Sequence, residues 1–263
     1  MKIAVTGKGG TGKTTLSAIL ARLCADDGKK VLAVDADPDA NLGTALGFSP
    51  EELAGILPIS GMEELIAERT GSGNGQGENS YGKFFKINPR VDDIPDRFSL
   101  EKNGIKLLLM GTVKSGGGGC VCPEHVMLKR VISHLVIARD EVVIMDMEAG
   151  LEHLGRGTAE MMDSFVVVIE PGERSIQTLQ KLKPLAKELG IRQIHVAANK
   201  IRSKDDEDYL KSRIGEEELL GFIHYSEETA DADRKGLSPF DTGGKIMEDI
   251  KKIKEKLEMR NKE

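Results

Sequence analysis

An apolar, strand-like run, Lys2-Ile3-Ala4-Val5-Thr6, leads directly into Gly7-Lys8-Gly9-Gly10-Thr11-Gly12-Lys13-Thr14-Thr15, which opens a helical pattern. Strand, glycine loop and helix in that order fit G-x-x-x-x-G-K-[ST], and this context turns the pattern into a phosphate site. Glycines without Cβ let backbone N–H groups close around phosphate oxygens, and the helix that follows turns its positive end toward the anion. Lys13 is then placed to touch the β and γ phosphates and Thr14 to ligate Mg²⁺. Gly7, Gly9, Gly10, Thr11, Gly12 and Thr15 complete the cradle.

Such a beginning restricts the rest of the chain to an architecture in which strands alternate with helices. Apolar, β-branched runs recur at 2–6, 31–35, 105–110, 142–146, 164–169, 194–199 and 219–224. Helical patterns lie at 13–27, 60–70, 123–138, 173–189, 205–214 and 244–259. Continuous apolar runs suit strands covered on both faces. The expected fold class is therefore α/β: one doubly wound, mainly parallel sheet with helices on both faces, residues 1–263 forming a single P-loop domain. Ligands of such sheets bind beyond the carboxyl ends of the strands, where the glycine loop falls. Residues 71–80, Gly-Ser-Gly-Asn-Gly-Gln-Gly-Glu-Asn-Ser, are expected to be a flexible surface loop.

Composition narrows the function. The chain of 263 residues is 39% hydrophobic but only 4% aromatic and lacks Trp, so its core must be aliphatic. A net charge of −6 offers no broad basic field for nucleic acid. Met1 runs straight into the first strand, and no apolar run nears the ~20 residues of a membrane span. A cytoplasmic protein without stable membrane binding is expected. Of three cysteines, Cys24 shares a helical face with Leu16, Ile19, Leu20 and Leu23 and is expected in the core.

Lys8, directly after the first glycine, resembles the second lysine of the deviant Walker A family, which contains MinD, the ParA partition ATPases, the nitrogenase iron protein and the CooC-type nickel-insertion ATPases. The resemblance implies that Lys8 reaches across a twofold interface to the partner's nucleotide, so that ATP stabilises a homodimer. Asp35-Ala36-Asp37-Pro38-Asp39-Ala40-Asn41 closes the second strand with carboxylates suited to Mg²⁺ or to an attacking water. It resembles the family's switch I, which implies that Asp37 positions water, with Asn41 near Mg²⁺ and Asp35 behind it. Val142 to Gly150 is an apolar strand ending in Asp146, the form of a Walker B segment. Asp146 is expected to hold Mg²⁺, and Gly150 to offer an N–H to the γ-phosphate. The Asp-x-x-x-Gly spacing resembles switch II, and residues 151–157, with Glu152 and His153, resemble the CooC-type proteins. No role for Glu148, Glu152 or His153 follows from the residues. Asn199-Lys200 resembles the base reader of guanine-specific NTPases, but that reader needs an aspartate two residues on, and position 202 is Arg. Adenine is favoured, with Asn199 as its contact.

Gly116-Gly117-Gly118-Gly119-Cys120-Val121-Cys122-Pro123-Glu124-His125 is the most distinctive stretch outside the nucleotide motifs. In an extended chain Cys120 and Cys122 project to one side and can offer two thiolates to one metal. Soft divalent metals take about four ligands, which a twofold axis would complete. This resembles the CooC-type accessory ATPases, which implies Ni²⁺, with Zn²⁺ as a chemical equal, bridged between two subunits for delivery to carbon monoxide dehydrogenase. Ala149 stands where the nitrogenase iron protein has its second cluster cysteine, which argues against a cluster held that way. Other readings remain open: incidental or redox thiols, an iron–sulfur carrier, or a MinD-like positioning ATPase whose terminal stripe Ile246, Ile250, Ile253 and Leu257 meets a membrane.

Overall fold

A computed structural model describes residues 1–72, 85–111, 122–137, 140–148, 159, 162–191 and 193–261. Its strands are β1 (Lys2–Gly7), β2 (Val31–Ala36), β3 (Leu100–Lys102), β4 (Ile105–Leu109), β5 (Val142–Met147), β6 (Ser164–Ile169), β7 (Ile194–Ile201) and β8 (Leu219–His224). All belong to one sheet of order β3-β4-β2-β5-β1-β6-β7-β8. Every neighbouring pair is parallel except β3 with β4. The helices are α1 (Lys13–Asp26), α2 (Leu42–Ala45), α3 (Pro50–Ala54), α4 (Glu63–Thr70), α5 (Ile94–Arg97), α6 (Pro123–Ile137), α7 (Glu173–Glu188), α8 (Lys204–Lys211), α9 (Glu227–Arg234) and α10 (Lys245–Arg260).

Successive side chains of a strand point to opposite faces, and here both faces are buried. Ala4, Leu32, Val34, Met145 and Val167 pack with α4, α6 and α7, while Ile3, Val5, Ala33, Ile144 and Val166 pack with α1 and α10. The doubly wound α/β fold expected from the sequence is the one observed. In α1 the residues Leu16, Ile19, Leu20 and Cys24 have no exposed surface, each large aliphatic contributing about 2 kcal/mol by its burial. Cys24 is thus a core residue, as expected, and burial pushes its thiol up to about 11.

The edge strand β3 and the short helices α2, α3, α5 and α9 were not expected. Asn103 and Gly104 join β3 to β4 with φ of 53° and 75°, the two left-handed residues of a type I′ hairpin turn. Of the glycine-rich stretch 71–80, Gly71 caps α4 in the left-handed conformation, and residues 73–80 lie outside the described residues. The terminal stripe Ile246, Ile250, Ile253 and Leu257 is buried against α1 and β8. Among the described residues no helix is long and apolar enough to cross a membrane.

One core histidine makes the fold pH-sensitive. His195 on β7 is 6% exposed, and Arg260 at the end of α10 donates to its Nδ1 at 3.0 Å. Burial, and then the charges of Arg260 and Lys256, draw its pKa down to about 4. The unfolded chain therefore binds this proton more readily than the fold does. The stability of the neutral form is complete above about pH 6.5 and is lost as pH falls toward 4. Between pH 7 and pH 5 the wild type should lose ~2 kcal/mol more than His195→Gln. Urea titrations of both proteins at the two pH values check this; parallel losses contradict it.

Candidate functional site

The carboxyl ends of β1, β2, β5, β6 and β7 converge on the loop Gly7 to Gly12. Gly7 has φ 151°, and a Cβ there would lie 2.4 Å from the Val168 carbonyl oxygen of β6. Gly12 has φ 91°, and its Cβ would stand 2.1 Å from Nδ2 of Asn199. Both positions thus require glycine, and Gly10 favours it by its φ of 79°, whereas a Cβ at Gly9 would meet nothing within 4 Å. Lys8 to Thr11 form a turn in which the Thr11 amide and hydroxyl donate to the Lys8 carbonyl at 3.2 and 2.8 Å. Among the described residues the amides of Gly9, Gly10 and Gly12 donate to no protein acceptor. Three amides at the start of α1 are what an anion needs.

Three carboxylates lie beside this loop. Asp146, at zero exposure on β5, accepts from the Thr14 hydroxyl at 2.6 Å and from Ser17 at 3.4 Å. Burial raises its pKa to about 7, the Thr14 hydrogen bond opposing and the charge of Asp35 adding to the rise. Asp35 is 1% exposed and accepts backbone N–H groups of Asp37 at 3.3 Å and Leu42 at 2.9 Å, so it shapes the turn before α2. Burial lifts it to about 6 against those two hydrogen bonds. Asp37 faces the Lys13 ammonium at 3.6 Å, both side chains mostly buried. Three carboxylates against one lysine, with two threonine and serine hydroxyls among them, form a hard-oxygen set of surplus negative charge. The Thr14 hydroxyl bonded to Asp146, with Asp37 against Lys13, is hard-oxygen chemistry that suits a magnesium ion, although among the described residues no three carboxylate, histidine or cysteine side chains cluster closely enough to hold a metal by themselves.

Asn199 and Lys200 meet the loop from the far side. Asn199 donates from Nδ2 to the Thr11 carbonyl at 2.7 Å and accepts the Lys200 amide at 2.8 Å. The sequence reading missed this second role, in which Asn199 holds the loop. Arg202 stacks on Tyr225 with its guanidinium carbon 3.7 Å from the ring centre. The Lys8 side chain is exposed and has no ion-pair partner among the described residues.

Cys122 is half-buried and stands just before α6, its carbonyl accepting the Val126 amide at 3.1 Å. Cys120, Gly150, Glu152 and His153 lie outside the described residues. The loop bearing the cysteines leaves β4 at Met110-Gly111. The Met110 amide donates to the Asp35 carbonyl at 2.8 Å, so this exit is hydrogen-bonded to β2, the strand that carries Asp35 and leads into Asp37. Gly111 has φ 67°, and a Cβ there would sit 2.1 Å from the Ser60 Oγ.

Residues 2–240 match the model of the CobQ/CobB/MinD/ParA nucleotide-binding domain, and the chain belongs to that family. Within it, the chain is 50% identical to the carbon monoxide dehydrogenase accessory protein CooC of Rhodospirillum rubrum, over 92% of this chain and 90% of that protein. An ATP-binding protein of Methanocaldococcus jannaschii is 45% identical over 96% of each chain. The fold matches the MinC:MinD cell division complex of Aquifex aeolicus with a TM-score of 0.66 at 19% identity, covering 98% of this chain and 96% of that one. It also matches a plasmid partition protein of Borrelia burgdorferi bound to AMPPNP, with a TM-score of 0.67 at 16% identity over 98% of each chain.

The loop geometry is open to a direct check without nucleotide. Gly12→Ala should cost about 2 kcal/mol, through its left-handed backbone and the collision with Asn199. Gly9→Ala, with open space around it, should stay within about 0.5 kcal/mol of wild type. Urea denaturation compares them; equal stabilities would contradict the loop as described.

Proposed function

We propose that this chain is a single-domain, Mg²⁺-dependent ATPase that carries Ni²⁺ to carbon monoxide dehydrogenase in the cytoplasm. One observation supports this most: the root of the loop that leads to Cys120 and Cys122 is hydrogen-bonded to the end of β2, the strand that runs into Asp37, so the thiol loop and the Asp37 turn leave adjacent strands. The 50% identity to CooC supports the choice of client. Burial of the terminal apolar stripe in the core weighs against a MinD-like membrane tail.

The nucleotide phosphates lie on the amides of Gly9, Gly10 and Gly12, with Lys13 on the β and γ oxygens and Gly150 at the γ-phosphate. Thr15, next to Thr14 at the start of α1, contributes to the same cradle. Asn199 contacts adenine, and Arg202, stacked on Tyr225, is no acceptor for guanine. Thr14, Asp37 and Asp146 would hold Mg²⁺ directly or through water, and the ion would supply positive charge against the phosphates. Asp37 leaves Lys13 and orients the attacking water. Lys8, exposed and without an ion-pair partner among the described residues, reaches the nucleotide of a second copy. In the closed homodimer Cys120 and Cys122 of both protomers give four thiolates to one cargo ion, Ni²⁺ or Zn²⁺. Hydrolysis opens the dimer and frees the ion.

Anaerobic gel filtration with inline metal detection, with and without a non-hydrolysable ATP analogue, tests this reading. About one Ni²⁺ per dimer is expected, lost in Cys120→Ser, and Lys8→Ala should remain monomeric with the analogue. A dimer that forms with the analogue yet holds no metal sinks the carrier role, and a brown protein points to an iron–sulfur carrier instead. Asp37→Ala should still bind the analogue while hydrolysis falls roughly a hundredfold.

A further inference from the structure

A glycine loop that turns amides toward phosphates must find partners for the carbonyls turned outward. Lys8 supplies its carbonyl to the Thr11 hydroxyl and amide, and the Thr11 carbonyl is taken by Asn199. The Gly10 carbonyl, at the tip of the Lys8–Thr11 turn, is taken by the Lys200 ammonium at 2.7 Å. That ammonium also meets Glu170, just beyond β6, at 2.6 Å. Lys200 near the end of β7, paired with Glu170 just beyond the neighbouring β6, therefore holds the tip of the loop.

The backbone beneath Lys200 is unusual. Lys200 has φ 59°, in the left-handed region that favours glycine and asparagine, and the pairing of β7 with β8 shifts register between Ala198 and Ile201. This irregularity aims the side chain at the loop. The pair of Lys200 with Glu170 has side chains 43% and 36% exposed, where an ion pair adds little to the fold. A strained backbone that serves an ion pair of so little stabilising value indicates a role in the site.

We propose that Lys200, aimed by its left-handed backbone and steadied by Glu170, is a positioning residue that fixes the Lys8–Thr11 turn for nucleotide binding. The inference rests on the ATP-site reading above. Losing the contact leaves the turn free to sample conformations in which the Gly9 and Gly10 amides no longer converge, so nucleotide affinity falls while the fold does not.

The left-handed backbone makes the test selective. Lys200→Asn and Lys200→Gly both suit that conformation and cannot reach the Gly10 carbonyl. Each should raise the Kd for a fluorescent ATP analogue with Mg²⁺ about tenfold, with a Tm no lower than wild type. Lys200→Arg, which keeps a cationic donor, should bind within about threefold of wild type, and Glu170→Gln should fall between. Asn and Gly variants binding within twofold of wild type would overturn the inference, as would an affinity loss that appears only with a lowered Tm. A wild-type protein that binds no analogue would overturn the ATP site itself, and this inference with it.

Discussion

The hydrogen bond from Thr14 to the buried Asp146, 2.6 Å long, joins the first turn of α1 to the end of β5. It exists because β1 lies between β5 and β6, so the loop leaving β1 must pass over the ends of both. An aspartate at zero exposure is costly unless hydrogen-bonded, and Thr14 and Ser17 supply those bonds from successive turns of one helix face. Moving either element by a residue would leave a buried carboxylate without partners. The axis of α1, the register of β1 against β5 and the position of Lys13 are all fixed by that requirement.

Much of this architecture is legible because buried parallel strands are continuous apolar runs and the glycine loop has strict spacing. Leu32 to Val34 and Val166 to Ile169 can hardly be anything but covered strands. The missed β3 illustrates the opposite case. Its three residues, Leu100–Lys102, are too short for a period, and the signal was instead the Asn103-Gly104 dipeptide, whose two positive φ values define the turn. The four-residue helices α2 and α5 likewise have no period to read. They form where tertiary contacts hold the chain, as Asp35 does for the Leu42 amide.

The site follows the same division. The motif residues Lys13, Thr14 and Asp146 come together beside the glycine loop, Thr14 bonded to Asp146 and Lys13 paired with Asp37. Residues that work by holding others are opaque to pattern. The sequence suggested a base contact for Asn199 and gave no sign of the bond the structure shows, to the Thr11 carbonyl 188 residues away. Lys200 looked like half of a dipeptide motif, and only its φ of 59° reveals that its backbone is bent to serve the loop. Long-range hydrogen bonds to backbone carbonyls leave no mark on spacing, because any residue supplies the acceptor.

The same kind of bond joins the root of the cysteine loop to the turn that presents Asp37. Asp35 pairs with Leu109 in register, and its carbonyl accepts from Met110 while its carboxylate holds the amides of Asp37 and Leu42. One residue therefore fastens both the turn that presents Asp37 and the exit of the cysteine loop. Gly111 continues that exit under tight constraint, since Ser60 and Pro58 leave no room for a side chain. A rigid root of this kind passes a displacement on, whereas a compliant one would absorb it. In the proposed cycle, where Asp37 leaves Lys13 for Mg²⁺ and the attacking water, a shift in its turn would reach Asp35 first and the Met110-Gly111 root next. Under that proposal, coupling of the nucleotide site to the cysteine loop would run through β2 and its neighbour β4, by way of Asp35 near the end of β2.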